Sequence, residues 1–366
     1  MASMSQRWDI FCQVIDNLGD IGVCWRLARQ LSREHALQVR LWVDDPSSLQ
    51  GFCPQLRFTD GRAEYAGVEI IHWCPATAQV DSIADVVIEA FACTLPASYF
   101  EAMAKATRPP CWINLEYLTA ESWIDGCHGL ASPHPTLPLV KHFFFPGFSA
   151  TSGGLLREAG LLGARDHEMA RRRTRERLEI SLFCYSAAPV GEFLDVLAGS
   201  PQAARLRVAP GQPFASVSAC LGGSGPWQLG SVLVEPFAFL PQDEYDRLLW
   251  DCDINFVRGE DSFVRAQWAA RPFVWQIYAQ EENAHQAKLM AFLEKFTTGT
   301  DASVGAAAVN LFRAWNFPGA GDLGQAWHEF LAHREAIGTH ARDWSASLSR
   351  MPDLAATLVK FCTSRL

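Results

Sequence analysis

Apolar residues occur along the first part of the chain in short runs that alternate with helical patterns. The run with Ile10, Phe11, Val14 and Ile15 predicts a buried first strand. The next apolar positions, Cys24, Leu27, Ala28 and Leu31, repeat at helical spacing. Further strands are predicted at Leu37–Val43, Val68–Trp73, Asp85–Phe91 and Cys111–Leu115, a helix at Tyr99–Ala106, and the end of this sheet within Leu137–Phe148.

The second half of the chain restarts the same alternation. Strands are predicted at Leu178–Tyr185, Leu206–Ala209, Ser231–Glu235, Asp253–Val257 and Pro272–Tyr278, with a helix beginning at Pro189. Parallel strands need long crossover connections, which are usually helices. The pattern therefore predicts an α/β protein with two Rossmann-like domains.

The amino-acid composition and the pattern of elements change at three points, which we take as domain boundaries. We assign 1–150 to the first domain, 151–177 to a connecting segment and 178–344 to the second domain. The connecting segment holds the arginine-rich run 165–177, which we interpret as a solvated helix face rather than a dock for an acidic partner. The helical end, 345–366, is expected to cross back and complete the first domain.

Composition narrows the possible functions. The 366 residues carry a net charge of −9 with 31 Lys and Arg, which argues against a general nucleic-acid binder. Eleven cysteines lie mostly in apolar runs without a C-x-x-C pair, which indicates buried thiols in a reducing cytoplasm rather than zinc ligands. No apolar run approaches the roughly 20 residues that span a bilayer, so no membrane partner is expected.

The loop after the first predicted strand carries two carboxylates. It reads Asp16-Asn17-Leu18-Gly19-Asp20-Ile21-Gly22. Loops at the carboxyl ends of strands are where open α/β sheets bind ligands, so Asp16 and Asp20 are candidates for chemistry. The alternative is that one of them only caps the helix.

A second motif follows a strand in the other half, at Arg258-Gly259-Glu260-Asp261-Ser262. A helix N-terminus with an adjacent arginine is suited to binding an anion such as a nucleotide diphosphate. Alternatively, Asp261 and Ser262 only cap the helix, and Arg258 pairs with Glu260.

Aromatic side chains lie close to this motif in the predicted sheet. Phe239 and Tyr245 follow the strand that ends near Glu235, and Tyr185 follows a neighbouring strand. They could stack on a nucleotide base, although an aromatic residue at a strand end is more often part of the core.

The chain resembles the bacterial EarP family over nearly its whole length. The resemblance rests on the segments described above and on Arg271-Pro272-Phe273-Val274-Trp275-Gln276-Ile277-Tyr278. The resemblance implies a GT-B glycosyltransferase with two facing Rossmann-like domains and an interdomain cleft. It implies transfer of L-rhamnose from dTDP-β-L-rhamnose to an arginine of translation elongation factor P, which activates that factor. It also implies inversion at the anomeric carbon, no metal and no cofactor, with the donor on the C-terminal domain and the acceptor mainly on the N-terminal domain.

The resemblance also assigns roles by position. Asp16, Asp20 and Glu260 match the acidic residues of the family, with Asp20 as the expected general base and Asp16 as the residue that orients the guanidinium; the reverse assignment fits the sequence equally well. Substrate-binding residues are expected at Asn17, Gly19, Gly259, Arg258, Asp261 and Ser262, and thymine contacts at Tyr185, Phe239, Leu240 and Gln242.

Three other functions compete with this interpretation. A GT-B transferase with another nucleotide sugar or acceptor would have the same fold. A non-catalytic nucleotide-binding adaptor would keep the binding site but leave Asp16 and Asp20 structural. An NAD-dependent oxidoreductase is disfavoured because the first loop lacks G-x-G-x-x-G and would place two carboxylates against a pyrophosphate.

Overall fold

The structure, a computed structural model, describes residues 6–74, 82–173, 175–280 and 284–366. The chain folds as two compact units. The first unit contains Met1–Ala159 and Met351–Leu366, and the second contains Gly160–Arg350. The segment 160–177, which the sequence analysis gave to a connection, thus lies in the second unit, and the first unit takes its C-terminal part from 351 rather than 345.

Each unit is built on one sheet whose strands are mostly parallel. The strands are β1 (Arg7–Cys12), β2 (Gln38–Val43), β3 (Arg62–Tyr65), β4 (Val68–His72), β5 (Val86–Ala90), β6 (Cys111–Leu115), β7 (Ala131–Pro133), β8 (Val140–Phe144), β9 (Leu178–Leu182), β10 (Ala204–Val208), β11 (Trp227–Leu229), β12 (Val232–Pro236), β13 (Ile254–Arg258) and β14 (Phe273–Gln276). The first sheet has the order β3-β4-β2-β1-β5-β6-β8-β7, and the second has the order β11-β12-β10-β9-β13-β14.

Helices supply the crossovers between the parallel strands. They are α1 (Asn17–His35), α2 (Ala97–Lys105), α3 (Leu161–Arg171), α4 (Val190–Ala198), α5 (Gln212–Leu221), α6 (Gln242–Asp251), α7 (Asp261–Ala269), α8 (Ala284–Thr297), α9 (Ala302–Asn316), α10 (Leu323–Ala332), α11 (Arg334–Ser349) and α12 (Leu354–Thr363). The predicted α/β class with Rossmann-like sheets is confirmed.

The bounds of the first strand and the edges of the sheets differ from the simple pattern of parallel strands. The first strand ends at Cys12, so Val14 and Ile15 lie in the following loop, where the Ile15 side chain is 63% exposed. The sheets are also mixed, because β3, β7 and β11 pair antiparallel with β4, β8 and β12. These three strands are short and lie at sheet edges, where no strong apolar run is needed to fill a core.

The first unit has a core on each face of its sheet. Helix α1 buries Cys24 and Leu27 on one face, where Leu354 and Leu358 of α12 join the same core. The expected return of the C-terminal helix to the first unit is therefore seen for α12. On the other face Phe11, Trp42 and Tyr99 pack together beneath α2.

The second unit follows the same plan. Phe193 of α4 packs against Phe256 of β13 and Trp327 of α10 on one face. A bidentate ion pair of Arg265 with Asp246 lies buried between α7 and α6. Breaking one partner of such a buried pair is strongly destabilising, so this pair fixes α7 against α6.

Each sheet has one point where the strand order reverses. In the first sheet it lies between β1 and β5, and in the second between β9 and β13. Ligands bind open α/β sheets at such switch points, beyond the carboxyl ends of the strands. The loop after β1 and the turn after β13, the two motifs singled out in the sequence, lie at these points.

Candidate functional site

In the first unit, Asp20 lies in the first turn of α1 and is almost fully buried. Its Oδ2 atom accepts hydrogen bonds from the backbone N–H of Ile15 at 2.9 Å and of Asp16 at 2.8 Å. The carboxylate thereby fixes the loop that connects β1 to α1. Neither Asp16 nor Asp20 caps the helix in the usual way, since Asp16 occupies the N-cap position without a side-chain capping bond.

Burial raises the pKa of Asp20 above its ordinary value, and the negative charge of Asp16 raises it further. The N–H groups of Asp16 and Ile15 and a hydrogen bond with Tyr117 stabilise the ionised form and oppose this shift. The net effect is a raised pKa for Asp20. A carboxylate in this environment accepts a proton more readily than one in water.

Asp16 is more exposed than Asp20 and lies beside Gly19. A Cβ atom at Gly19 would come within 2.5 Å of Asp16 Oδ2, and Gly19 N–H donates to the Asp16 carbonyl at 2.6 Å. Gly19 therefore leaves the space in which the Asp16 carboxylate lies, and its contact with substrate stays a prediction. The side chain of Asn17 lies outside the described part of the structure.

Two aromatic residues that the sequence analysis did not select lie at the same carboxyl edge of the first sheet. Phe91 follows β5 and Tyr117 follows β6, and their rings stack with centroids 4.5 Å apart. Phe91 and Ala92 have φ values of 58° and 54°, a left-handed conformation that is unusual for residues with side chains. No local pattern marks them, because the contacts arise from strands that are adjacent only in the folded sheet.

In the second unit, Arg258 ends β13 and is buried. Its guanidinium carbon lies 4.5 Å from the ring centroid of Phe183 and 4.5 Å from that of Tyr185. An Nη atom also donates to the Cys184 carbonyl at 3.2 Å. The two rings and the carbonyl hold the cation at the carboxyl edge of the sheet. Phe183 was not identified from the sequence, because it occupies a strand-end position that is also typical of core.

The turn after Arg258 depends on Gly259, whose φ is 61°. Its N–H donates to the Gln276 carbonyl at 3.3 Å, and its carbonyl accepts from Trp275 Nε1 at 2.8 Å. Because φ is positive and both backbone groups are bonded, the position favours glycine for conformational reasons.

Helix α7 begins after Glu260 without a side-chain capping bond. Glu260, rather than Asp261 or Ser262, occupies the N-cap position, which differs from the alternative that the latter two residues only cap the helix. The Ser262 hydroxyl donates instead to the carbonyl of Arg258 and accepts from its N–H. The N-cap side chain thus makes no capping bond to α7, and the N-terminus of a helix, with its N–H groups and positive partial charge, is suited to binding an anion.

The four residues expected to contact thymine differ in their surroundings. Tyr185 packs against Arg258 and makes an edge contact with Tyr278. Phe239 is exposed at 37%, and Leu240 is half-buried. Gln242 is buried, and its amide nitrogen donates to Asp261 Oδ2 at 3.2 Å. Phe239 is thus the most open ring surface of the set.

The arginine-rich run makes structural contacts within its own unit. Arg172 pairs with Asp253 at 2.7 Å, and Arg175 pairs with Asp251 at 2.6 Å. These ion pairs attach the segment before β9 to the loop before β13. Among the described residues no group of three or more His, Cys, Asp or Glu is arranged to hold a metal. Each helix in the described ranges is too short or too polar to cross a bilayer.

Two Rossmann-like units, each with candidate binding residues at the carboxyl edge of its sheet, have the architecture of GT-B glycosyltransferases. Solved structures of such enzymes share this fold. MurG of Acinetobacter baumannii has a TM-score of 0.52 at 11% identity and covers 99% of this chain and 100% of its own. The spinosyn forosaminyltransferase SpnP has a TM-score of 0.52 at 10% identity and covers 99% of both chains.

The chain belongs to the EarP family. The family model described as elongation factor P (EF-P) rhamnosyltransferase EarP matches residues 8–363. The protein-arginine rhamnosyltransferase of Pseudomonas putida is 48% identical, covering 99% of this chain and 100% of its own. That of Pseudomonas aeruginosa is 46% identical over 97% of this chain and 98% of its own. A solved structure concerned with EarP-mediated arginine glycosylation of EF-P has a TM-score of 0.66 at 36% identity, covering 99% of this chain and 100% of its own.

Proposed function

We propose that the protein transfers L-rhamnose from dTDP-β-L-rhamnose to an arginine side chain of translation elongation factor P. The observation that carries the proposal is full-length similarity to protein-arginine rhamnosyltransferases, together with an acidic loop after β1 and a buried arginine at the end of β13 before the N-terminus of α7. Transfer inverts the anomeric carbon and requires no metal or other cofactor. Because the acceptor is a translation factor, the protein works in the cytoplasm.

The second unit supplies the groups that suit the donor diphosphate. Arg258 is a cation already oriented by Phe183 and Tyr185, and the N-terminus of α7 adds backbone N–H donors. As the anomeric C–O bond breaks, its electron pair and negative charge pass to the leaving dTDP. Fixed cationic and N–H donors stabilise such a developing charge. Phe239 offers an exposed ring on which the thymine can stack.

The first unit supplies the groups that suit the acceptor guanidinium. An arginine side chain remains protonated in proteins and is a weak nucleophile, so the enzyme must orient it and accept a proton. Asp16, the more exposed carboxylate, orients the guanidinium through charge-assisted hydrogen bonds. Asp20, whose pKa is raised by burial, accepts the proton released as the C–N bond forms.

Glu260 is the third acidic residue of the proposal. It occupies the N-cap position of α7 beside the turn that would hold the diphosphate. A carboxylate next to that anion is unfavourable unless it bonds sugar hydroxyls or stabilises positive charge on the ring. We expect Glu260→Ala to lower turnover severely, and near-normal turnover in a folded variant would exclude this role.

The proposal is tested by intact-mass spectrometry of purified elongation factor P after incubation with this protein and dTDP-rhamnose in EDTA. Wild type should add one deoxyhexose to the acceptor, and Asp20→Ala should add none. An acceptor variant with the modified arginine replaced by lysine should remain unmodified. Reactions with dTDP-glucose and UDP-glucose test the alternative donors.

Each outcome has a distinct meaning. Addition only with dTDP-rhamnose supports enzyme, donor, acceptor and metal independence together. Addition with another sugar would retain a GT-B transferase but replace the donor. Binding of the nucleotide with no mass change under any condition would favour an adaptor and exclude the rhamnosyltransferase.

A further inference from the structure

We propose that Gln276 is a further residue of the donor site, whose side-chain amide nitrogen donates a hydrogen bond to the diphosphate of the nucleotide sugar. The proposal rests on the proposed function, because it names one more contact with the same donor. Gln276 ends β14 and is paired in parallel register with Arg258, the last residue of β13. It belongs to the segment Arg271–Tyr278, in which the sequence analysis assigned no role to any residue.

The peptide group between Cys184 and Tyr185 is hydrogen-bonded to both of these residues. Its carbonyl oxygen accepts from an Nη atom of Arg258 at 3.2 Å, and its N–H donates to Gln276 Oε1 at 2.7 Å. Gln276 therefore helps to place the loop whose Tyr185 ring packs on the Arg258 guanidinium. The amide of Gln276 and the cation belong to one arrangement at the carboxyl edge of the sheet.

The hydrogen bond from Tyr185 also determines which end of the Gln276 amide is the oxygen. A backbone N–H only donates, so the amide atom that it meets must be the carbonyl oxygen. The other end is then Nε2, which carries two N–H donors. Exchanging the two atoms would place donor against donor. What Gln276 can offer to a ligand at this edge is therefore a hydrogen-bond donor, which suits an anion.

The Nε2 atom makes no hydrogen bond with any residue that the structure describes. Buried polar atoms without a partner occur elsewhere in the described ranges, and Nε2 is not among them, so solvent reaches this atom. The residue as a whole is nevertheless only 4% exposed. A ligand that accepts from such a fixed side chain loses little affinity to the ordering of that side chain.

The main chain around Gln276 is also held by hydrogen bonds. The Gln276 carbonyl accepts from the Gly259 N–H at 3.3 Å in the turn after β13. At the end of α9, Asn316 Oδ1 accepts from the Ile277 N–H at 3.0 Å, and Asn316 Nδ2 donates to the Trp275 carbonyl at 2.8 Å. The residues before and after Gln276 are thus fixed by one side chain. A preorganised donor stabilises charge without having to reorient.

The surroundings of Nε2 favour a diphosphate as its acceptor. Arg258 supplies positive charge from the neighbouring strand, and phosphates bind at this edge of nucleotide-binding α/β sheets. Glu260 and Asp261 place negative charge in the same turn, so a bound diphosphate needs further donors there. A hydrogen bond to a charged oxygen is roughly twice as strong as one between neutral groups. Gln276 supplies such a donor for the charge that passes to dTDP when the anomeric C–O bond breaks.

The test measures the affinity of Gln276→Glu for dTDP by titration calorimetry. Glutamate keeps an oxygen for the Tyr185 N–H, so the loop and the fold should be retained, but it replaces the N–H donors with a charged oxygen. Affinity for dTDP and for dTDP-rhamnose should fall by the same factor, about ten- to a hundredfold, the value of one hydrogen bond to a charged group. Binding of thymidine, which has no phosphate, should not change when it is followed by NMR.

Two further variants separate the lost donor from the added charge. Gln228→Glu makes the same change at an exposed position on β11, at the opposite edge of the sheet from β14. It should bind dTDP as wild type does. Gln276→Met removes the N–H donors without adding charge and should weaken dTDP binding by about tenfold.

A readout on the wild-type protein does not depend on the folding of any variant. The side-chain amide resonances of Gln276, assigned through bonds from its own backbone, should shift on addition of dTDP and stay in place with thymidine. These shifts, together with the weaker dTDP binding of Gln276→Glu, support the proposal. Amide resonances that dTDP does not move, or unchanged affinity in a folded Gln276→Glu, overturn it. A loss confined to dTDP-rhamnose, or one shared by thymidine, also overturns the phosphate contact.

Failure of this inference can be distinguished from failure of the proposed function. If wild type binds dTDP through Gln276 but transfers no rhamnose to elongation factor P, the phosphate contact stands and the transferase is refuted. If Gln276→Glu transfers rhamnose and binds dTDP as wild type does, the transferase stands and the contact is refuted.

Discussion

The acidic loop after β1 and the arginine turn after β13 are the same strand–turn–helix unit with opposite chemistry. Both lie at the switch point of a parallel sheet, and both lead into a helix. In the first unit, Asp20 turns back to accept the N–H groups of Ile15 and Asp16. In the second, α7 starts at Glu260 without a side-chain cap, and Arg258 lies at the strand end.

The difference shows how one structural unit can be suited to ligands of opposite charge. A helix N-terminus carries positive partial charge and favours anions. In the first unit the carboxylate of Asp20 offsets part of the positive partial charge of the helix N-terminus. The second carboxylate, that of Asp16, gives the turn a net negative charge. In the other turn, Arg258 and the N-terminus of α7 bring positive charge beside the carboxylates of Glu260 and Asp261. The sequence of the first turn lacks a cation of this kind, and this contrast underlies the proposed guanidinium and diphosphate sites.

Asp20→Asn should produce the largest effect, because it removes the proposed base but keeps the acceptor for the two backbone N–H groups. We expect kcat to fall by about 10²- to 10⁴-fold, the usual contribution of general base catalysis. Donor affinity, which belongs to the other unit, should not change. Asp16→Asn is the matched variant and should raise KM for the acceptor more than it lowers kcat. Equal loss of kcat in both variants would contradict the assigned roles.

The same substitution should not destabilise the protein at neutral pH. The folded pKa of Asp20 lies above its ordinary value, so its contribution to stability is present at low pH and lost as pH rises through the folded pKa. Asparagine carries no charge and avoids this loss. Calorimetry should show an unfolding temperature at or above wild type at neutral pH, with the difference vanishing in acid. A variant less stable than wild type at neutral pH, with equal stability in acid, would contradict this sign.

Arg258→Lys should have the next largest effect. Lysine keeps the charge but loses the planar group that lies between Phe183 and Tyr185 and donates to the Cys184 carbonyl. Titration calorimetry should show affinity for dTDP-rhamnose reduced by about ten- to a hundredfold, the value of a hydrogen bond to a charged group. Arg205→Lys, at a pair with Glu235 in the same unit, is the control and should bind donor as wild type does. Unchanged affinity for dTDP-rhamnose in Arg258→Lys would mean that this turn does not bind the donor.

The central strands of both sheets could be predicted because burial on two faces makes them continuous apolar runs. Cys111–Leu115 was predicted with the same bounds that β6 has. The edge strands β3, β7 and β11 could not, since β3 and β7 have largely exposed side chains and β11 has only three residues. Ile15 was assigned to a strand because its type suggests burial, although the loop leaves it exposed.

The residues of the candidate site also fall into those that the sequence predicts and those that it does not. Both motifs are contiguous in sequence, so Asp16, Asp20 and Arg258 could be selected without a structure. Tyr117 and Phe183 could not, because each meets its partner only through the order of strands in a sheet. The hydrogen bonds of Ser262 could not be predicted from the sequence either, because serine caps helices, stabilises turns and binds phosphate in different proteins.

Ser262→Ala tests whether the arginine turn is braced from within. The hydroxyl serves both the N–H and the carbonyl of Arg258, and the site is buried. Its loss leaves buried backbone groups without that partner and should reduce unfolding stability by about 1–3 kcal/mol. Donor affinity should fall less than in Arg258→Lys. Ser218→Ala is the matched variant, because its hydroxyl donates to the Gly223 carbonyl near the surface, and it should cost less. A large loss of affinity with unchanged stability would instead indicate direct phosphate contact.

The smallest effect is expected from Gly259→Ala, which tests whether the turn needs a left-handed residue. Alanine at a φ of 61° should cost about 1–2 kcal/mol of unfolding free energy, measured by calorimetry or urea unfolding. Gly163→Ala is the same chemical change in α3, where no atom lies within 4 Å of the added Cβ. There it should stabilise the helix by about 0.5–1 kcal/mol. Opposite signs for one substitution would show that backbone conformation, rather than side-chain volume, makes glycine the residue of the arginine turn. Stabilisation at both positions would mean that the turn relaxes without cost.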